Sequence, residues 1–338
     1  MIGGEPAALS SALRAQILAL VLRGASRDDT VATIFGKHDL TTGEKNAVVD
    51  EYERLVTTIA SRERYRAMAD AKAAWMMANY RRLDAQSGRP GIDELDRLDP
   101  EEFFQQYYFR NRPVKIRRLL ERWQGFDAWH LPRLVSAYGD VPLEITVNRP
   151  PVAGHDVGPE ADLRTVPLRE FAAMLERAKS DEVYLIARNR AIQQTLSPLL
   201  DTLDPLDGVL TPFSRAHTNL WIGPRDATTY LHHDVTNVLF VQVEGAKKFW
   251  LIPPYHGNHV YNKTGVFSDV DAEHPDLARF PLFAFAAVST TVLEEGDALL
   301  IPIGWWHQVR SLSTSVSATF LNFVHDNVFS IAEFSRLG

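Results

Sequence analysis

The sequence contains no cysteine among its 338 residues. Disulfides, thiolate zinc sites, iron–sulfur clusters and cysteine nucleophiles are therefore excluded, and any metal must be held by histidine, aspartate or glutamate. No apolar run approaches the roughly 20 residues of a membrane helix. The apolar stretch 15–22 has no small-residue cleavage pattern after it. We therefore expect a cytoplasmic protein that makes no contact with a membrane.

An excess of basic residues is also absent. Lys plus Arg is 36 and Asp plus Glu is 43, which gives a formal net charge of −7. This acidity gives no support to a surface that follows phosphates, so nucleic acid is not an expected partner, although a local basic groove stays open. Hydrophobic residues make up 45% and charged residues 23%, which is ordinary for a globular protein with a sizeable core.

The N-terminal part of the chain has the pattern of helices. Thr41 and Glu44 have the spacing of a capping box, and apolar residues then recur at helical spacing over 52–59. The spacing predicts a long amphipathic helix that runs to about Arg82. An earlier helix is expected over residues 7–23, with an irregular stretch between the two helices.

Turn-forming residues at 86–91 separate two regions of different texture. We predict an N-terminal helical region over residues 1–90 and a catalytic domain over residues 91–338. The second region is rich in short β-type runs bounded by Gly, Pro, Asn and Asp, which is typical of a sandwich or barrel. The clearest runs cover residues 183–186, 219–222, 237–243, 247–252, 290–293, 298–301 and 315–323.

The most informative motif is His232-His233-Asp234. Side chains alternate between the two faces of a strand, so His232 and Asp234 converge while His233 points to the opposite face. A lone His-x-Asp is weak evidence for a metal site, because a strand-end histidine beside a surface aspartate has the same sequence.

A second motif strengthens the first. An apolar strand over 298–301 is broken by Pro302 and Gly304, and we expect His307 to lie at the end of this strand. Two histidines and one carboxylate on a β scaffold form the facial triad of non-haem Fe(II) oxygenases, which leaves coordination positions for a co-substrate and dioxygen. Zinc would fit the same residues, so ligand type alone leaves the metal open.

Four segments, taken in this order, resemble the JmjC and cupin-like 2-oxoglutarate-dependent oxygenases, particularly their hydroxylase branch. These segments are 103–114, 231–234, 241–248 and 301–307, and the resemblance covers roughly residues 97–325. It implies a mainly β fold with some α structure. The implied core is a double-stranded β-helix, the jelly roll of cupin-like proteins, preceded by the N-terminal helical region.

The resemblance also implies the roles of individual residues. The Fe(II) ligands would be His232, Asp234 and His307, with no catalytic residue beyond them. A further set would contact the co-substrate 2-oxoglutarate: Lys247, Thr229, Tyr184 and Asn322. A lysine is suited to this task because the distal carboxylate needs a cation inside the barrel. One departure is Asn237, which lies one position earlier than the corresponding Asn of some relatives.

The implied function is hydroxylation of a protein or peptide side chain, coupled to decarboxylation of 2-oxoglutarate to succinate. An aspartate rather than a glutamate as the carboxylate ligand favours hydroxylation over histone demethylation. Two alternatives stay open: an oxygenase of a small molecule or modified nucleoside, and a non-catalytic, metal-binding cupin-like module. The expected partner is the protein or peptide substrate, and a homodimer is a further alternative.

Overall fold

The protein is described here by a computed structural model that covers residues 9–87, 91–149, 162–178, 182–262, 265–327 and 329. The chain divides into two compact units, with the boundary between Arg82 and Leu83. The domain boundary predicted between residues 90 and 91 adjoins residues 88–90, which lie outside the described residues, and it stays a prediction. Within the described ranges, no helix is both long and apolar enough to cross a bilayer.

The described part of the first unit contains α1 (Ser11–Leu22), α2 (Arg27–Lys37) and all but the last residues of α3 (Thr42–Ser87). The predicted capping box begins α3, since the Thr41 amide donates to Glu44 at 2.9 Å and the Glu44 amide donates to Thr41 Oγ1 at 3.3 Å. The predicted irregular stretch between α1 and α3 is wrong. It contains α2, whose first turn is capped by the Ser26 side chain. A small core of Leu13, Ile17, Ile34 and Val48 holds the three helices together.

The second unit is built mainly from strands. Its helices are α4 (Pro100–Glu102), which continues into a π-helix (Phe103–Tyr108), α5 (Leu131–Tyr138), α6 (Leu168–Leu175) and α7 (Ala191–Gln194). Its first strands are β1 (Asp93–Leu95), β2 (Val114–Ile116), β3 (Pro142–Val147), β4 (Asp162–Pro167), β5 (Val183–Tyr184), β6 (Thr218–Gly223) and β7 (Thr228–His233). The remaining strands are β8 (Val238–Glu244), β9 (Lys247–Ile252), β10 (Ser289–Leu293), β11 (Ala298–Ile301), β12 (Trp306–Ser311) and β13 (Ser315–Phe320).

The strands form three sheets. A six-stranded sheet has the order β1-β2-β11-β8-β13-β6, and a four-stranded sheet has the order β10-β9-β12-β7. A smaller sheet has the order β4-β3-β5. Apart from the parallel pair β1–β2, neighbouring strands run antiparallel.

Side-chain alternation on β8 shows how the two larger sheets share a core. Val238 and Phe240 point between the sheets, where they pack with Phe249 and Val309 of the four-stranded sheet. Leu239 points the other way, into the larger apolar cluster that also contains the π-helix. Two sheets packed face to face around an interior of alternating side chains form a jelly roll, so the predicted fold is confirmed.

Candidate metal centre and its cavity

A cavity of about 270 Å³ lies between the two larger sheets. Both sheets contribute to its wall because each strand turns every second side chain inward. The four-stranded sheet contributes Thr229, His232, Lys247, His307 and Val309, and the six-stranded sheet contributes Asn219, Trp221, Val238, Phe240, Ile301 and Thr319.

The structure brings the three predicted metal ligands together at this cavity. His232 on β7 and His307 on β12 are directly paired across the two strands, and Asp234 follows β7. One potential ligand atom from each of the three side chains lies within 4.8 Å of the other two. The Nε2 atom of His307 is 3.6 Å from Oδ2 of Asp234. Three donors this close, on neighbouring strands, can bind one metal ion from one side.

The position of His307 differs from the sequence prediction. We expected it at the end of a strand, but it is the second residue of a new strand, β12. Residues 302–305 form a tight turn, closed by the Trp305 amide donating to the Pro302 carbonyl at 3.1 Å. Gly304 has a φ of +76°, which allows this reversal at no steric cost. The chain then resumes an extended conformation, and pairing with β7 aligns the two histidines.

Hydrogen bonds fix the orientation of both imidazoles. Nδ1 of His232 lies 2.8 Å from the Tyr230 carbonyl, and Nδ1 of His307 lies 2.9 Å from the Trp305 carbonyl. A carbonyl only accepts, so Nδ1 carries the proton in each ring and Nε2 offers its lone pair to a metal. Burial and the neighbouring His232 lower the pKa of His307 to about 4. His307 is therefore neutral at pH 7, which is the form that binds metals.

His233 lies on the opposite face of β7, as the alternation predicted. Its ring packs edge-on against Trp306, with 4.7 Å between the ring centroids. Trp306 belongs to the apolar cluster on the outer side of the four-stranded sheet. His233 therefore supports the sheet from outside, and it does not line the cavity.

Lys247 is a buried cation inside the cavity. Its side chain is 1% exposed, and Nζ donates a hydrogen bond to the Tyr184 hydroxyl at 3.2 Å. No carboxylate of the described chain lies within 4.0 Å of Nζ. A buried ammonium without an anion is costly, so the site fits a ligand that brings its own carboxylate. Lys248 turns outward, as predicted, and its Nζ lies 4.5 Å from the ring centre of Trp250.

Tyr184 and Thr229, which were predicted to contact the co-substrate, also line the cavity. The Tyr184 ring rests on Gly223, since a Cβ at that glycine would lie 2.7 Å from two ring carbons. The guanidinium carbon of Arg149 lies 5.1 Å from the centre of the same ring. The Thr229 hydroxyl makes no hydrogen bond to the residues that the structure describes. Both hydroxyls can therefore donate to a ligand near Lys247.

The structure does not bring Asn322 to the cavity. Thr319 and Leu321 face the cavity, so alternation turns Asn322 the other way. Its amide nitrogen donates instead to the carbonyls of Thr211, at 2.6 Å, and Pro212, at 3.4 Å. Asn322 is therefore not one of the residues that line this cavity, and its contact with the co-substrate stays a prediction.

The sequence analysis missed three polar residues on the wall of the six-stranded sheet. Asn219 Nδ2 and Trp221 Nε1 both donate to Thr319 Oγ1, at 3.3 and 3.4 Å. Asn219 and Trp221 are two residues apart on β6 and therefore share one face of that strand. Thr319 of β13 pairs with Asn219. No sequence feature indicated which face of β6 would look into the cavity.

Comparison with known proteins agrees with this geometry. The profile of the cupin-like domain matches residues 100–331. The chain is 29% identical over 244 residues to lysine-specific demethylase JMJ30 of Arabidopsis thaliana, covering 68% of this chain and 54% of that protein. It is 37% identical over 231 residues to lysine-specific demethylase 8 of Danio rerio, covering 65% and 55%.

A further relative has a different described activity. The chain is 25% identical over 255 residues to the bifunctional peptidase and (3S)-lysyl hydroxylase JMJD7 of Homo sapiens, covering 65% of this chain and 80% of that protein. Against several other curated relatives, the chain spans only about half of their length.

Proposed function

Because this chain belongs to the cupin-like JmjC family, we propose that it is an Fe(II)- and 2-oxoglutarate-dependent oxygenase that hydroxylates a protein or peptide side chain. The observation that carries this proposal is the joint presence of the His232, Asp234 and His307 cluster and the unpaired cation of Lys247 in one cavity. A scaffold that only binds a metal has no use for the buried lysine.

The three clustered side chains would hold Fe(II), since imidazole and carboxylate are the donors that non-haem iron takes in a facial triad. When bound, the metal would couple decarboxylation of 2-oxoglutarate to succinate with insertion of one oxygen atom into a substrate C–H bond. The hydrogen bonds to the Tyr230 and Trp305 carbonyls hold both Nε2 atoms toward the cavity. This preorientation lowers the cost of assembling the metal site.

Lys247 would bind the distal carboxylate of 2-oxoglutarate. The Tyr184 hydroxyl accepts from Lys247, so its own proton is directed elsewhere and can be donated to the same carboxylate. The Thr229 hydroxyl supplies a third donor on the same wall. A charge-assisted contact in a buried site is stronger than a neutral hydrogen bond, and Val238 and Phe240 make the surrounding wall apolar.

Hydroxylation is favoured over demethylation by the aspartate ligand. The relatives carry both kinds of name, since two are described as lysine-specific demethylases and one as a lysyl hydroxylase. A small-molecule or nucleoside oxygenase would use the same cavity, with different residues around its opening. A homodimer is also compatible with the sequence.

The first experiment tests the cofactors. Fe(II) and 2-oxoglutarate are added without oxygen, and the visible metal-to-ligand charge-transfer band is recorded for the wild type, His232→Ala and Lys247→Ala. We expect a band in the wild type, no band in His232→Ala, and a band that requires much more 2-oxoglutarate in Lys247→Ala. A wild type without a band contradicts the proposal and favours the non-catalytic alternative.

A second experiment tests the substrate class. Succinate release is screened against peptides, small metabolites and RNA, and the mass of each stimulating compound is compared before and after reaction. A peptide that gains one oxygen atom supports hydroxylation, whereas loss of a methyl group from a methylated peptide would indicate demethylation. Stimulation only by a metabolite or by RNA would replace the proposed substrate.

A further inference from the structure

Two loops adjoin the candidate metal ligands, and hydrogen bonds join these loops to each other. The first loop, residues 234–237, follows β7 and contains Asp234. The second loop, residues 302–305, leads into β12 and His307. The backbone amide of Gly304 donates directly to the carbonyl of Asp234 at 3.0 Å, so the two loops are in contact at the ligand itself.

Asn237 provides a second link between the same loops. Its side chain is 3% exposed, and its Oδ1 accepts a hydrogen bond from the Ile303 amide at 2.9 Å. Asn237 is absent from the cavity wall, so it does not contact a ligand there. Its side chain therefore reaches from the loop of Asp234 to the loop that precedes His307.

Asn327 fixes Asn237 in this position. Its Oδ1 accepts from both the backbone amide and Nδ2 of Asn237, at 2.9 and 3.0 Å. Its own Nδ2 donates to the carbonyls of Asn237, at 2.9 Å, and Leu321, at 3.0 Å. Three hydrogen bonds thus join the two buried residues, and the Tyr108 hydroxyl also donates to Asn327 Oδ1 at 3.3 Å. Asn237 has no rotational freedom left without breaking several of them.

We propose that Asn237 is a positioning residue of the metal centre: with Asn327 behind it, it locks the Asp234 loop to the turn before His307 and so sets metal affinity and coordination geometry. This inference rests on the proposed function, because it takes the three clustered side chains as metal ligands. Metal ligands must be held within about half an ångström of their positions, and partners outside the ligand set affect affinity by about 10- to 100-fold.

A cobalt titration tests this role without turnover. Co(II) is added to the metal-free protein, and its visible absorption bands report both the Kd and the coordination geometry. We expect Asn237→Ala to raise the Kd by about 10-fold or more and to change the band pattern. Asn327→Ala retains the bond from Ile303 to Asn237, so its Kd should rise less, by about threefold to tenfold.

Asn189 offers a matched control. It is 1% exposed, and its Oδ1 accepts from the Ile186 amide at 2.9 Å, as Asn237 accepts from Ile303. It contacts neither ligand loop, so Asn189→Ala should leave the Co(II) spectrum unchanged and the Kd within about twofold. Asn189 Oδ1 also accepts from the Thr146 hydroxyl at 3.2 Å, as Asn237 also donates to Asn327. Each variant therefore loses two buried side-chain hydrogen bonds, and its thermal unfolding midpoint should fall by a similar amount.

The outcomes separate this inference from the proposed function. A wild-type Kd and spectrum in Asn237→Ala would overturn the positioning role while leaving the metal site intact. An equal loss of Co(II) affinity in Asn189→Ala would overturn the positioning role as well, because a general loss of stability would then explain the effect. If Asn237→Ala does not fold, Asn327→Ala decides, and an unchanged Kd there overturns the proposal. Failure of the wild type to bind Co(II) would instead refute the proposed function.

Discussion

Replacing Lys247 by methionine should stabilise the ligand-free protein while destroying its affinity for 2-oxoglutarate. The side chain is 1% exposed, and its only hydrogen bond in the described chain goes to a neutral group, the Tyr184 hydroxyl. Taking an ammonium out of water costs several kcal/mol, and one hydrogen bond from a charged donor returns only about 1.5–3 kcal/mol. The difference suggests that Lys247→Met raises the free energy of unfolding by about 1–3 kcal/mol.

Lys115 is the matched control, because it is the other lysine that is buried among the described residues and it is paired with a carboxylate. Its Nζ lies 2.9 Å from Oδ2 of Asp297 and donates to the Val292 carbonyl at 2.8 Å. Lys115→Met leaves the buried Asp297 carboxylate without its cation. Loss of one partner of a buried pair costs about 3–5 kcal/mol, so this variant should be destabilised.

Urea unfolding of the metal-free proteins, followed by tryptophan fluorescence, gives the two stability changes. Calorimetric titration of 2-oxoglutarate into the Ni(II)-loaded proteins gives the affinities. We expect opposite signs of stability change for the two lysines, and a loss of about 100-fold or more in affinity for Lys247→Met alone. A Lys247→Met variant that is destabilised as strongly as Lys115→Met would refute the view that the protein itself supplies no anion to this lysine.

Two further pairs of substitutions test the cavity wall and the alternation on β7. Gly223→Ala places a Cβ 2.7 Å from the Tyr184 ring, so it should lower the free energy of unfolding by about 1–3 kcal/mol and weaken 2-oxoglutarate binding in calorimetry. Gly257→Ala is the control: a Cβ there has nothing within 4 Å, so stability and binding should stay unchanged. Unchanged binding in Gly223→Ala would show that the tyrosine does not contact the co-substrate. His233→Ala should keep its Co(II) Kd within about twofold of the wild-type value, whereas His232→Ala should lose about 100-fold or more in Co(II) affinity. Equal losses of affinity would contradict the assignment of His232, rather than His233, as a metal ligand.

Most strands of the jelly roll were predictable from local pattern. The runs predicted at 247–252 and 298–301 coincide with β9 and β11, and the run at 237–243 lies within one residue of β8. These strands are short apolar runs bounded by turn residues, so the signal is contained in the run itself. β3 and β4 were missed because β4 is exposed at most positions and the two strands stabilise each other by pairing.

The metal ligands were predictable for a related reason. Alternation within β7 depends only on sequence spacing, so His232 and Asp234 could be placed on one face and His233 on the other. Asn322 could not be placed in the same way. Sequence spacing indicates that residues 319 and 321 share a face, but the register between β13 and its neighbours decides that this face is the cavity. Register is set by pairing with distant strands, which a single sequence does not reveal.

The two larger sheets contribute different kinds of residue to the site. His232, His307 and Lys247 lie on β7, β12 and β9, which are three adjacent strands of the four-stranded sheet, and Asp234 follows β7. The described wall residues of the six-stranded sheet are neutral. One sheet therefore carries the charged chemistry that a metal and a dicarboxylate require, and its register sets the spacing of His232, His307 and Lys247. A change at the wall residues of the facing sheet alters the shape of the space left for a substrate without removing a candidate metal ligand.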